Sequence, residues 1–199
     1  MAKKCLKKIF LTFDDGPSWP FTLQILDILS KEGAKASFFV CGRNVQRYPE
    51  IARQIVAQGH LIGNHTFSHS KIRAYLGYWG DEIKKTNQVI AGTTGITPVF
   101  FRPPYGNITP WLKSSLSKQG LKLILWDIHG SDWRERSAQR IAQKIIKKIK
   151  ANSCLLLHDG EETKDHIDRS FTVAALALLL KFFKEQGYIC ETLNQLEEK

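Results

Sequence analysis

Two aspartates in succession, Asp14 and Asp15, stand directly after a β-type run and before Gly16-Pro17. Carboxylates so close resist joint ionisation unless something positive sits beside them, and a divalent cation supplies that charge. Asp-Gly-Pro is also good turn chemistry, which accounts for Gly16 and Pro17 but poorly for the pair of aspartates. His65 and His69 are four residues apart, about one helical turn, a spacing that puts Cβ atoms roughly 5–6 Å apart on one side. Two imidazoles, one carboxylate and an open position make the ligand set of a catalytic zinc or related transition-metal site. The His-x-x-x-His spacing by itself equally describes a surface or capping pair; the neighbouring carboxylates tip the balance to metal.

Further reactive types follow later runs: Arg102-Pro103-Pro104-Tyr105-Gly106, Asp132-Trp133 and His158-Asp159-Gly160. Each has a plain structural reading. Arg102 can be a strand-end surface charge, Pro103-Pro104 a rigid turn, and His158, after Cys154-Leu155-Leu156-Leu157, a satisfied core histidine. Five segments delivering Asp, His, Arg, Asp and His to strand ends are hard to explain one by one. In a parallel α/β barrel those ends converge on one face, and that face carries the active site.

The elements that must position these residues are legible as an alternation. Strands are expected at Lys8–Phe13, Ala36–Val40, Leu61–Gly63, Val99–Arg102, Lys122–Trp126, Ser153–Leu157 and Tyr188–Thr192. Helical patterns fall at Thr22–Lys31, Pro49–Gln58, Asp81–Ala91, Pro110–Lys118, Ala138–Lys150 and Phe171–Gln186. Gly33, Gly59, Gly120 and Gly187 each follow a helical run, where a left-handed cap is wanted. Thr109-Pro110 reads as an N-cap with proline in the first turn, and Ser137 as another N-cap. Ile141, Ile145 and Ile149 recur every four residues as a core stripe. Such alternation with short connections implies a parallel sheet, open or closed into a barrel, in one domain spanning 1–199.

Composition narrows the function classes. With 199 residues and 43% hydrophobic residues the chain can bury a core, and disorder is not indicated. The net charge of +10 would attract anionic partners, yet a lysine-rich solvated face accounts for it. No nucleic-acid-binding signature accompanies it, so no nucleic-acid partner is expected. The basic start Met1–Lys8 lacks the apolar stretch and cleavage site of a signal peptide, and the apolar run Val173–Leu180 is too short to span a bilayer. A chain without a membrane span is expected, cytoplasmic unless an export signal has been removed. Cys5, Cys41, Cys154 and Cys190 are widely separated without metal-type pairing, and buried free thiols are expected.

The motifs Thr12-Phe13-Asp14-Asp15-Gly16-Pro17, Asn64-His65-Thr66-Phe67-Ser68-His69, Arg102-Pro103-Pro104-Tyr105-Gly106, Asp132-Trp133 and Leu156-Leu157-His158-Asp159-Gly160 occur in order. In this the chain resembles the polysaccharide deacetylase family (the NodB-homology domain, carbohydrate esterase family four), from Ile9 to about Leu196. The resemblance implies an α/β fold, a distorted (β/α) barrel with about seven strands. It implies a metal held by Asp15, His65 and His69, with Zn²⁺ as the usual ion and Co²⁺ or Ni²⁺ as substitutes. Asp14 would be the general base, Arg102 would keep it ionised, and His158, oriented by Asp132, would be the general acid. Tyr105 would offer its backbone N–H to the oxyanion, Trp133 would form groove wall, and Leu156 would line the acetyl-methyl pocket.

The activity so implied is hydrolysis of the acetamido group of N-acetylglucosamine units in chitin, chitooligosaccharides or peptidoglycan, by a monomer. The motifs fit acetyl-ester hydrolysis on xylan-type glycans as well, since both reactions pass through one type of oxyanion; a non-catalytic sugar binder would have lost Asp14, Asp15, His65 or His69. One position departs from the pattern: His129 stands where the family has aspartate, three residues before Asp132. A structural or groove-lining role for it ranks above metal ligation. Two loops, Ser70–Gly80 and Glu161–Arg169, should shape the groove, with Tyr75, Tyr78, Trp79 and His166 available for sugar stacking or for loop packing.

Overall fold

A computed structural model describes residues 7–77, 79–161 and 168–196 of the chain. Cys5, Tyr78, His166 and most of the expected Glu161–Arg169 loop lie outside the described residues. Among those described, eight strands form one sheet in which every pairing is parallel. They are β1 (Lys7–Asp14), β2 (Ser37–Val40), β3 (Leu61–Asn64), β4 (Phe100–Phe101), β5 (Lys122–Leu123), β6 (Ile128–His129), β7 (Ser153–His158) and β8 (Tyr188–Glu191). The helices are α1 (Phe21–Lys31), α2 (Gly42–Arg47), α3 (Pro49–Ala57), α4 (Lys71–Leu76), α5 (Gly80–Thr94), α6 (Leu112–Lys118), α7 (Ala138–Ile146) and α8 (Ser170–Glu185).

The sheet order is β5-β4-β3-β2-β1-β7-β6, with β8 on β1. Strand β1 is the axis of the fold. One edge pairs along Ile9–Asp14 with β7; the other is shared, Lys7–Phe10 going to β8 and Thr12–Asp14 to β2. Its side chains alternate as the pleat demands. Ile9, Leu11 and Phe13 enter the main core with helix residues such as Ile25, Leu29, Ile141 and Leu176. Phe10 points the other way, into a second cluster with Phe39, Leu61, Cys154 and Leu193. Thr12 and Asp14 share that inner parity, so β1 itself delivers a hydroxyl and a carboxylate to the inside of the curled sheet.

The barrel is left open, and the opening explains the main difference from the expected strands. The anticipated strand Lys122–Trp126 stops at Leu123, and a two-residue strand, β6, appears beyond it. Between them the chain crosses from one edge of the sheet to the other. Ile124 N–H donates to Phe101 O (3.0 Å), whereas Asp127 N–H donates to Cys154 O (2.9 Å). Cys154 N–H in turn donates to Asp127 Oδ2 (2.8 Å). A clasp of side chain and backbone thus replaces the missing ladder.

Other expectations shift at helix ends. Ser137 caps α7 by accepting from Arg140 N–H, and Gly33, Gly59, Gly120 and Gly187 all have positive φ. Ile141 and Ile145 are fully buried; α7 ends at Ile146, and Ile149 packs on the core from beyond it. Thr109 does not cap α6, which starts at Leu112; its hydroxyl instead accepts from Trp79 Nε1 (2.7 Å). That bond and the contact with Phe101 (ring centroids 6.0 Å) make Trp79 a core residue. The segment Ser70–Gly80 contains α4, capped by Ser70 and closed by Gly77 in the left-handed region. Tyr75, on α4, is exposed. Cys41, Cys154 and Cys190 are buried free thiols.

Asp127→Ala should cost about 1–3 kcal/mol, because the Cys154 N–H is left without its acceptor. Asp127→Asn, which keeps an acceptor oxygen, should cost less; urea denaturation of the two variants measures the difference.

Candidate active site

Asp14 ends β1, Asp15 follows it, and both are buried. Asp15 takes a left-handed backbone (φ 74°), which aspartate tolerates better than most residues. Its N–H donates to Phe39 O (3.2 Å), and Asn44 Nδ2, on α2, donates to its carbonyl (2.7 Å). The turn turns the Asp15 side chain toward two imidazoles: Oδ1 lies 3.4 Å from both His65 Nε2 and His69 Nε2. The three potential ligand atoms lie within 4.8 Å of one another, and this is the only such His/Cys/Asp/Glu group among the described residues.

The two histidines reach that point by a route the helical spacing did not anticipate. Residues 65–70 form a loop after β3, with Thr66 (φ 69°) and His69 (φ 47°) left-handed. The loop is pinned from both sides. Asn64 Oδ1 accepts from Thr66 N–H, and Thr66 Oγ1 accepts from His69 N–H (3.1 Å). From α5, buried Glu82 accepts through Oε2 from Phe67 N–H, Ser68 N–H and Ser68 Oγ–H. Gly42 lets α2 close on this loop, since a Cβ there would strike the Phe67 and Thr86 side chains. The imidazole rings end with centroids 4.9 Å apart.

His65 Nδ1 sits 2.7 Å from Arg102 O, so it must carry the proton that this carbonyl accepts. Nε2 is left with its lone pair toward Asp15, the tautomer a metal requires. Asp15 Oδ1 is buried without a hydrogen-bond partner, an arrangement that costs free energy unless a cation completes it. Burial would raise the Asp15 pKa, but His69, His65 and His158 together hold it well below the ordinary carboxylate range. The donor set therefore suits a divalent cation.

Arg102 follows β4 and is fully buried. Its Nη1 donates to Asp14 Oδ1 (2.7 Å) and Thr12 Oγ1 (2.6 Å), and Nη2 donates to Leu125 O (3.0 Å). The guanidinium lies 4.1 Å from the centre of the Phe39 ring. The other Asp14 oxygen, Oδ2, lies 3.7 Å from His65 Nε2. Asp14 is thus anchored by one oxygen, with the second facing His65 rather than solvent.

His158 ends β7, in register beside Asp14. Its Nδ1 bonds Asp132 Oδ1 (3.0 Å), and its own backbone N–H donates to Asp132 Oδ2 (2.8 Å). Thr172, on α8, also donates to Asp132 Oδ2 (3.0 Å). Burial opposes the imidazolium, yet Asp132, with Asp15 and Asp14 behind it, raises the His158 pKa to about 9. Asp132 moves the opposite way: burial would raise it, and His158 and Arg169 hold it low.

Trp133 stands half-exposed between two imidazoles, 5.4 Å from His158 and 5.0 Å from His129. His129 packs there, with Ser131 Oγ 3.3 Å from its Nδ1, and lies outside the three-ligand group. Tyr105 has a left-handed backbone (φ 60°) and its exposed ring lies 4.8 Å from His69. Leu156, on β7, is buried and in register with Thr12 and His129.

The sequence reading missed several supports. Glu82, Asn44 and Arg169 are polar residues inside ordinary-looking runs, with burial as their only signal, whereas Thr12 and Asn64 stand within the motifs but with no role assigned. Arg169 donates through Nε and Nη2 to Gly160 O. Asp159, within the motif of His158, is fully buried and takes Thr22 Oγ1–H at 2.6 Å. Burial, with Asp15 and Asp14 near, raises its pKa to about 7. Gly16 is required beside it, since any Cβ would fall inside the Asp159 carboxyl group.

Glu82→Ala should leave the N–H groups of Phe67 and Ser68 without acceptors and loosen the loop between His65 and His69. A loss of about 10–100-fold in metal affinity is expected, the usual effect of removing a support behind the ligands; calorimetric zinc titration checks it.

The geometry has counterparts among known proteins. The family model described as "Polysaccharide deacetylase" matches residues 2–124. A peptidoglycan-N-acetylglucosamine deacetylase of Bacillus cereus is 38% identical over 197 residues, covering 96% of this chain and 88% of that protein. A chitooligosaccharide deacetylase of Bradyrhizobium is 33% identical over 198 residues, covering 96% and 90%. The solved structure of the peptidoglycan deacetylase PdaC from Bacillus subtilis superposes with a TM-score of 0.85 at 33% identity, covering 96% of this chain and 90% of that one. With its β1 carboxylates, its paired histidines and its open parallel barrel, the chain belongs to the polysaccharide deacetylase family.

Proposed function

We propose that the chain removes the acetyl group from N-acetylglucosamine units of a glycan, with Asp14 as general base and His158 as general acid. The observation that carries this reading is a carboxylate and an imidazole, each held by a buried partner, beside one cation site. Asp14 is held by a buried guanidinium, and His158 is held by a buried carboxylate that favours its proton. A fixed proton acceptor and a fixed proton donor at one site are what base and acid roles need.

A bound divalent ion, Zn²⁺ by its ligand types with Co²⁺ or Ni²⁺ as substitutes, supplies Lewis-acid polarisation of the carbonyl and acidifies water. Asp15, His65 and His69 would hold it. Asp14 would accept the proton of the attacking water, and Arg102 would keep the carboxylate fixed. Tyr105 would give its backbone N–H to the oxyanion, a donor typically worth about 3–4 kcal/mol in the transition state. His158 would deliver its proton to the departing nitrogen, while Trp133 walls the groove and Leu156 lines the space for the methyl group.

That acid favours the amide over the ester. An amine leaving group must be protonated to depart, whereas an alkoxide departs with less help. A chain built only for esters would have little use for the Asp132–His158–Thr172 arrangement.

Acetate release from an N-acetylglucosamine oligomer tests the proposal. Asp14→Asn should reduce it at least a hundredfold with metal content unchanged; near-full activity would overturn the base assignment. His158→Ala should cost about 10²–10⁴-fold. The active form of His158 is the protonated one and its pKa is raised, so activity should persist at neutral pH and fall as pH rises. A cation neutralising Asp15 removes part of that raise, which places the alkaline limb between about 6.5, the ordinary imidazole value, and about 9. The same limb should vanish from the residual activity of His158→Ala.

A further inference from the structure

The site chemistry makes no use of the net charge of +10. Part of that charge is concentrated beside the cation site. A groove of about 680 Å³ shares His69 and Tyr105 with it, and its remaining wall carries Arg43, Lys71, Arg73 and Lys85. These cations come from three elements: Arg43 from α2, Lys71 and Arg73 from α4, and Lys85 from α5. Among the described residues, Glu82 is the one acid in the lining.

Glu82 does not neutralise the group. It is buried, and its carboxylate is occupied by Phe67 N–H, Ser68 N–H and Ser68 Oγ–H, with Arg73 Nε 3.6 Å away. Lys85 lies over the Phe67 ring at 3.6 Å, a contact that holds the ammonium in place without cancelling its charge. Among the described residues no carboxylate forms an ion pair with Arg43, Lys71 or Lys85. Four cations against one committed carboxylate leave the groove strongly positive, and a concave wall focuses that field on whatever occupies it.

A neutral glycan can accept hydrogen bonds from such a wall but offers no charge to balance its four cations. From this we infer that the groove is a subsite for a carboxylate carried by a sugar adjacent to the one being deacetylated. The preferred substrate is then an acidic glycan whose alternate sugars bear a free lactyl carboxylate, as peptidoglycan strands do once stripped of their peptides. The inference rests on the deacetylase reading and adds to it the substrate class. Tyr105 would stack against the sugar between the two sites, since its ring borders both.

The test compares three soluble tetrasaccharides by kcat/KM at low ionic strength. They are a neutral N-acetylglucosamine tetramer, a peptidoglycan-derived tetrasaccharide with free lactyl carboxylates, and the latter with those carboxylates converted to methyl amides. The free acid should exceed its amide at least tenfold, mostly through KM, and the advantage should shrink as salt screens the charges. The double variant Lys71→Gln, Lys85→Gln should bring the acid-to-amide ratio down toward one, whereas Lys71→Arg should preserve it. Equal kcat/KM for acid and amide in the unaltered chain, or a ratio unmoved in the double variant, would overturn the inference. Acetate release from the neutral tetramer alongside either result would show that the deacetylase reading stands by itself; no release from any of the three would overturn both.

Discussion

A carboxylate buried at the end of the central strand and a guanidinium buried against it are the constraint around which this molecule is arranged. Asp14 and Arg102 are both shut away from water, a costly situation that hydrogen bonds to the guanidinium Nη atoms must offset. Thr12, on the same face of β1, takes one Nη1–H and passes its own proton to Leu155 O. Leu125 O, from the segment that crosses the open side of the barrel, takes Nη2–H. The Phe39 ring covers the guanidinium plane. The opening of the sheet and the position of Asp14 are therefore linked. The chain crossing between β5 and β6 supplies an acceptor that a continuous ladder would have spent on another strand.

From that anchor the chemistry spreads along neighbouring strand ends. Asp15 is forced into a left-handed turn one residue later, and the Arg102 carbonyl fixes the His65 tautomer. Arg102 thus holds Asp14 through its guanidinium and orients His65 through its carbonyl. On the far edge of β1, His158 is carried by β7 in direct register with Asp14. The proposed acid and the proposed base are neighbours across one ladder, each held by its own buried partner.

Much of this was legible in the sequence because strand ends in a parallel sheet are marked by type. An apolar run that stops at Asp, His or Arg announces both the strand and the site, and all ten residues proposed for the site lie at or near such ends. The fold class was legible for the same reason. Two-residue strands are not: Ile128–His129 has no periodicity to detect, and its pairing exists only because the crossing segment brings it to β7. The short helices α2 and α4 lack the two full turns that a periodic pattern needs. Buried polar supports were hidden differently. Glu82 sits in the first turn of α5 among Asp81, Lys84 and Lys85, where a solvated charge is the ordinary expectation; only the folded chain shows its carboxylate turned inward onto the histidine loop. The histidine spacing gave the right pair through the wrong local geometry, since a pinned loop brings residues four apart together as well as a helical turn does.

The balance of charge at the cleft then asks for one more component. Asp15 Oδ1 is buried without a hydrogen-bond partner, 3.4 Å from Nε2 of both His65 and His69, and a cation is what reconciles them. The most direct measurement is a calorimetric zinc titration of metal-stripped protein, with acetate release from an N-acetylglucosamine oligomer read in the same samples. One site per chain, with activity rising in proportion to occupancy and both lost in Asp15→Ala, is the predicted result. Full activity in the stripped protein, or zinc binding that Asp15→Ala leaves intact, would contradict it.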